Sequence, residues 1–213
     1  ANRFRADVIV FRYHEDGGAK IAAEVSLASV ISAGEGTGQH PTQALLDIYT
    51  IQKRCGRIDD ISIAIVGDLA KGRTVRSLSY LLGKFSDIKI YFVSPNLLKI
   101  KEDIKDYLRR HNVFFTETND LRKVAPFVDI IYQTRAQKER GTVFDPSDET
   151  NGFFIDNKEI NDLMKSESII MHPLPRNEEI TLEVDEDPRA VYLTDQIDSG
   201  LFIRMALLKI ILF

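Results

Sequence analysis

The sequence predicts an α/β fold: a doubly wound parallel sheet, complete in one unit and preceded by the remnant of another. Two observations carry this. From Ile61 onward, short β-branched apolar runs alternate regularly with stretches of helical periodicity, the pattern of a parallel sheet covered on both faces. Arginines and histidines also recur at the carboxyl ends of those runs, where open parallel sheets bind their ligands.

The elements follow in order. Asp7–Arg12 reads as a buried strand, Gly17 and Gly18 break the chain, and residues 19–25 have helical character. Ser29–Ala33 is a second strand, running into the glycine-rich segment 34–38. Pro41 suits a first helical turn, and Thr42–Arg54 carries apolar residues at helical spacing before Gly56 stops it. The regular alternation then gives strands at 61–66, 88–93, 113–116, 128–132 and 168–171. Helices are expected at 74–85, 101–111, 120–125 and 158–165. Residues 200–213 form a helix apolar nearly all round, which must be buried on most sides. The unit boundary falls in the helix after Pro41. Residues 1–42 are read as the end of a first unit and the start of a linking helix, 43–197 as a complete α/β unit, and 198–213 as a helix returning to the first. Two strands and one helix are too little for an independent core, so the beginning of the first unit is expected to lie outside this sequence.

Composition narrows the function. A net charge of −4, with basic residues interleaved among acidic ones, provides no footprint for nucleic acid or an anionic membrane surface. No apolar run approaches the ~20 residues of a membrane span. The single cysteine, Cys55, excludes an internal disulfide and a cysteine-based zinc site. No phosphate-binding P-loop ending, dinucleotide fingerprint or nucleophile elbow is present, and segment 34–38 has its third glycine too early for a dinucleotide loop.

What remains is the strand ends. They supply Arg12, then His40 beyond the glycine-rich turn, Lys71 and Arg73, Arg135 with Gln137, and finally His172 and Arg176. Guanidinium groups bind carboxylate or phosphate in a planar, bidentate way, whereas the clustered carboxylates or histidines of a metal site are missing. The substrate is therefore expected to be anionic. His14 and His111 read as surface residues, and His172 as structural.

Four segments together resemble the aspartate carbamoyltransferase family: His40-Pro41-Thr42-Gln43; Gly67-Asp68-Leu69 with Gly72-Arg73-Thr74; Thr134-Arg135-Ala136-Gln137; and His172-Pro173-Leu174-Pro175-Arg176. Asp185, Pro188-Arg189 and Arg204-Met205-Ala206 fit the same order, and the stretches from Arg73 and Lys89 look most like the plant-type members. The resemblance implies transfer of a carbamoyl group from carbamoyl phosphate to the α-amine of L-aspartate, a step of pyrimidine synthesis. In that reading Arg12 and His40 stabilise charge on the carbamoyl oxygen. Gln43 and the backbone at Leu174 and Pro175 hold the carbamoyl amino group. Arg73 and Arg135 bind the two carboxylates of aspartate with help from Gln137. It further implies no cofactor and no metal, a homotrimer with shared active sites, and a cytoplasmic protein, with a plastid location as the alternative. Nucleic acid and membrane partners are not expected.

Departures from the family pattern are visible. The Ser-Thr-Arg-Thr segment that cradles the phosphate, and the lysine-bearing loop of a neighbouring subunit, do not occur, so the chain is expected to be a fragment nearly inactive by itself. Glu35 stands where Asp is usual, Tyr13 where His is usual, and residues 141–152 are shorter and less helical than the typical loop. Two other readings stay open: a related carbamoyltransferase such as the ornithine enzyme, against which Arg73 and Pro173 speak, and a non-catalytic truncated paralogue serving as a partner subunit.

Overall fold

The computed structural model describes residue 3, residues 5–135 and residues 162–213. It opens with strand β1 (Val8–Tyr13), helix α1 (Gly18–Val25) and strand β2 (Ser29–Glu35), and the two strands pair in parallel. Helix α2 (Pro41–Cys55) follows. Proline sits in its first turn, where no N–H is needed, and Gly56 closes it in the left-handed conformation at φ 72°.

The larger sheet then forms from β3 (Ser62–Val66), β4 (Lys89–Val93), β5 (Phe114–Thr118), β6 (Ile130–Gln133) and β7 (Ile169–Met171). These lie in the order β5-β4-β3-β6-β7, every pairing parallel. Helix α3 (Arg73–Leu82) connects β3 to β4, and α4 (Glu102–Arg110) connects β4 to β5. The chain moves outward from β3 in one direction and later resumes beside it with β6. The crevice beyond the carboxyl ends of β3 and β6 is thus the switch point at which such sheets bind ligands.

Strand alternation splits the core into two layers. Ile63 and Ile65 face one side with Leu78, Ile90 and Ile104, while Ala64 and Val66 face the other with Leu121, Ile131 and Tyr192. These four of the five β3 residues are wholly buried. A strand buried on both faces gains from an apolar side chain at every position, which is why these segments read as unbroken apolar runs.

Three expectations need correction. The segment expected as a helix at 120–125 is a single 3-10 turn, Leu121–Lys123, capped by the Asp120 carboxylate accepting from the Arg122 N–H. Strand β1 was expected to be buried, yet Val10 is 66% exposed; among the described residues β2 is its one paired strand, and α1 and the last helix are its main helical neighbours. That last helix, α5 (Asp195–Leu212), was expected to be covered on most sides. It rests on α2 and on β1, and burial is concentrated at its start, in Gln196, Ser199 and Gly200. Leu201, Phe202, Met205 and Ile210 are half exposed or more. An all-round apolar helix needs neighbours on several sides, and among the described residues its main neighbours are α2 and β1. The helix expected at 158–165 begins outside the described residues, and no described helix is long and apolar enough to cross a membrane.

Candidate active site

Each side of the switch-point crevice is built by a local device. Near the end of β2, Gly34 adopts φ 101°; a Cβ there would stand 2.9 Å from the His40 ring and 3.1 Å from the Arg73 guanidinium carbon. Glycine at this point lets the turn, the histidine and the arginine pack together. The His40 N–H donates to Ser77 Oγ at 2.7 Å, which joins the start of α2 to α3. At the end of β3, Gly67 adopts φ 116°, and a Cβ would lie 2.3 Å from the Thr134 carbonyl oxygen. The Thr134 N–H and hydroxyl both donate to the Val66 carbonyl at 2.8 Å, so the last residue of β3 anchors the segment that presents Arg135.

These devices bring Arg12, His40, Gln43, Arg73 and Arg135 to one cavity, closed on a third side by Pro173, Leu174 and Pro175. It encloses about 710 Å³, its open mouth included. Three of its lining residues are arginines, and no carboxylate lies among the described residues that line it. Of the residues expected from sequence, only Gln137 lies outside the described residues.

Burial and the neighbouring charges together set a protonation state. Burial first, then the charges of Arg73, Arg12 and Arg204, lower the His40 pKa from 6.5 to about 4. The imidazole is therefore neutral near pH 7 and keeps one N–H and one lone pair. Arg204, on α5, lines the two adjoining hollows.

On the third side, His172 acts as a post. Its Nδ1 accepts the Leu174 N–H at 2.9 Å and its Nε2 pairs with Glu179 at 2.9 Å, which fixes the tautomer with the proton on Nε2. Leu174 sits at φ 45°, ahead of a cis bond to Pro175. A leucine in the left-handed region costs free energy and persists only where its surroundings hold it, which the imidazole does here.

Among known proteins, one family profile matches residues 59–211: aspartate/ornithine carbamoyltransferase, Asp/Orn binding domain. The carbamoyl-P binding domain of the same family matches residues 2–53. The chain belongs to the aspartate/ornithine carbamoyltransferase family. It is 55% identical over 208 residues to the chloroplastic aspartate carbamoyltransferase of Arabidopsis thaliana, covering 97% of this chain and 53% of that protein. The chain thus spans about half the length of the plant relatives it matches. Among solved structures, the catalytic subunit of Methanocaldococcus jannaschii aspartate transcarbamoylase superposes with a TM-score of 0.86 at 43% identity, over 97% of this chain and 66% of that one. The Trypanosoma cruzi enzyme in complex with carbamoyl phosphate gives 0.88 at 38% identity, over 95% and 65%.

Set in this family, the cavity joins residues from both matched portions: Arg12, His40 and Gln43 from the first, Arg73, Arg135 and the 173–175 segment from the second. Sequence reasoning gave no role to Thr74 and Thr134, which also line it, although both lie next to arginines it had singled out. It also missed a buried acid directly behind the cavity. Asp47, wholly buried on α2, accepts from Gln43 Nε2 at 2.9 Å, Gln196 Nε2 at 2.7 Å and the Tyr132 hydroxyl at 2.7 Å. Its place, one turn after Gln43 on a helix, was the only signal the sequence contained.

Proposed function

We propose that this chain supplies the aspartate site, and the carbonyl side of the carbamoyl phosphate site, of an aspartate carbamoyltransferase. The observation that carries the reading is the presence of Arg73 and Arg135, from two neighbouring strand ends, in the same cavity as His40. Two guanidinium groups suit the two carboxylates of aspartate, whereas the side-chain ammonium of ornithine would be repelled there. The bound substrates of the Trypanosoma cruzi structures, carbamoyl phosphate and aspartate, support the same choice.

The chemistry follows from the donors. The neutral α-amine of aspartate attacks the carbamoyl carbon, forming the N–C bond and placing negative charge on the carbonyl oxygen. Arg12 and neutral His40 donate hydrogen bonds to that oxygen as the charge develops. The Gln43 side chain and the backbone at Leu174 and Pro175 accept from the carbamoyl amino group and fix its plane. The C–O bond to phosphate then breaks, phosphate leaves with the electron pair, and the surplus amine proton passes to phosphate or solvent. Gln137 assists Arg135 in holding aspartate. Orienting both substrates is worth up to ~7–11 kcal/mol of the barrier in favourable cases.

In this proposal residues 1–42 belong to the carbamoyl phosphate unit, 43–197 to the aspartate unit, and 198–213 return to the first. The assembled protein is a homotrimer with shared sites. The plant relatives named chloroplastic support a plastid location over a cytoplasmic one. The test is turnover by the intact protein carrying this chain, assayed for N-carbamoyl-L-aspartate from aspartate and for citrulline from ornithine. Arg135→Ala removes a charge-assisted contact of ~1.5–3 kcal/mol, so kcat/KM for aspartate should drop roughly 10- to 100-fold with little change in the affinity for carbamoyl phosphate. Citrulline as the product, or equal losses for both substrates, refutes the assignment.

A further inference from the structure

The acid behind the cavity has a function that the reaction described above does not use. Asp47 lies wholly inside the protein, where a carboxyl group is costly to place, and an apolar side chain of similar shape is often no worse for stability. What distinguishes this carboxyl is the geometry of its partners. Its Oδ1 receives both amide groups, from Gln43 and Gln196, while Oδ2 receives the Tyr132 hydroxyl. Gln196 in turn accepts the backbone N–H of His172 at 3.0 Å.

The consequence falls on Gln43. A side-chain amide has a donor end and an acceptor end, and only the network decides which faces where. Oδ1 accepts from Gln43 Nε2, so the amino end is turned to the interior. The carbonyl oxygen, Oε1, accepts no hydrogen bond from any described residue and is the end left for the cavity that Gln43 lines. A proton on Oδ2 would reverse only the bond with Tyr132. Oδ1 would still accept from both amides, so the orientation of Gln43 survives in either protonation state of the acid.

We propose that Asp47 is a positioning residue: by holding the amino end of Gln43 inward it presents an acceptor to the cavity, and so sets the preference for an acyl phosphate bearing an amino group over one bearing a methyl group. This rests on the function proposed above. A carbamoyl NH₂ donates to Oε1. The methyl group of acetyl phosphate cannot, and would cover that oxygen without pairing it.

The experiment compares carbamoyl phosphate with acetyl phosphate as donors to aspartate, measured as kcat/KM for N-carbamoyl- and N-acetyl-L-aspartate formation by the intact protein. Gln43→Leu, which lacks the acceptor, sets the size of the effect, about fivefold to tenfold for one hydrogen bond of ordinary strength. Asp47→Leu should lose the preference to the same extent, whereas Asp47→Asn, whose carbonyl still accepts both amides, should keep it within about twofold. If Asp47→Leu does not fold, Asp47→Ser, too short to reach the amide, reads the same ratio. A purely structural role would slow both donors equally and leave the ratio unchanged, and that result overturns the proposal. So does an asparagine variant as unselective as the leucine variant. A parent protein that makes no carbamoyl-aspartate refutes the function itself, which is a different outcome from an active parent whose preference the variants retain.

Discussion

Replacing Asp47 with asparagine should change how stability depends on pH, by an amount that follows from the burial of the carboxyl. Burial raises the Asp47 pKa from 3.8 to about 7, against the opposing hydrogen bonds from Tyr132, Gln43 and Gln196. Between these values the folded protein holds a proton that the unfolded chain has released. The stability linked to this proton is therefore full below about pH 4 and is lost as the pH rises through about 7. At 1.36 kcal/mol per pH unit, the loss is about 4 kcal/mol.

Asparagine does not titrate and keeps the outline of the side chain. The stability of Asp47→Asn relative to its parent should accordingly climb by about 4 kcal/mol between pH 4 and pH 8. His40 acts in the opposite sense: its pKa is lowered to about 4, so its contribution is full above about pH 6.5 and is lost as the pH falls toward 4. The two contributions oppose each other across that window, and the difference between the two proteins isolates the aspartate. Urea unfolding of both proteins at closely spaced pH values measures it, with equal m-values as the check that only stability has changed. Parallel pH profiles for parent and variant would refute the assignment of a buried, proton-holding carboxyl.

Two further outcomes are expected. In proton NMR the His40 ring should titrate near pH 4, and inorganic phosphate in the cavity should raise that midpoint by offsetting the arginine charges; titration near 6.5, insensitive to phosphate, would show that the guanidinium groups do not converge on it. Gly67→Ala places a Cβ against the Thr134 carbonyl and forces φ 116° on an L-residue, so it should cost more than about 3 kcal/mol in urea unfolding, and a loss under about 1 kcal/mol would contradict the packing described at that strand end.

The parts of the molecule legible in its sequence are those in which one local rule decides the outcome. Strands β3, β4, β6 and β7 could be read because burial on both faces turns them into apolar runs, and α2 because proline opens it and glycine closes it. The cavity could be read because strand ends in a parallel sheet share one edge, so arginines far apart in the chain had to meet there. Context decided the rest. Apolar content alone predicted burial of α5, but burial depends on neighbours, and among the described residues those of this helix are mainly α2 and β1. Asp47 looked like an ordinary polar position of an amphipathic helix, since the partners that make it a hub lie 85 and 149 residues further along the chain. His172 read as structural, and both its ring nitrogens are engaged inside the protein; what the sequence did not convey is that it holds the backbone at Leu174.

Helix α2 links these two classes of residue. His40, just before the helix, and Gln43, in its first turn, line the cavity, while its next turn ties Asp47 to β6 through Tyr132 and to α5 through Gln196. Arg135 stands just beyond the end of β6, and the His172 post hangs by its backbone N–H from Gln196. Lining residues from both matched portions of the chain therefore share one buried hydrogen-bonded junction. A reaction that depends on placing two small anions within bonding distance loses rate steeply with ångström-scale misplacement. A junction of directional hydrogen bonds resists such displacement in a way that apolar contacts, which permit sliding, do not. On this view the desolvation cost at Asp47 is the energetic counterpart of holding the two half-sites at a fixed separation.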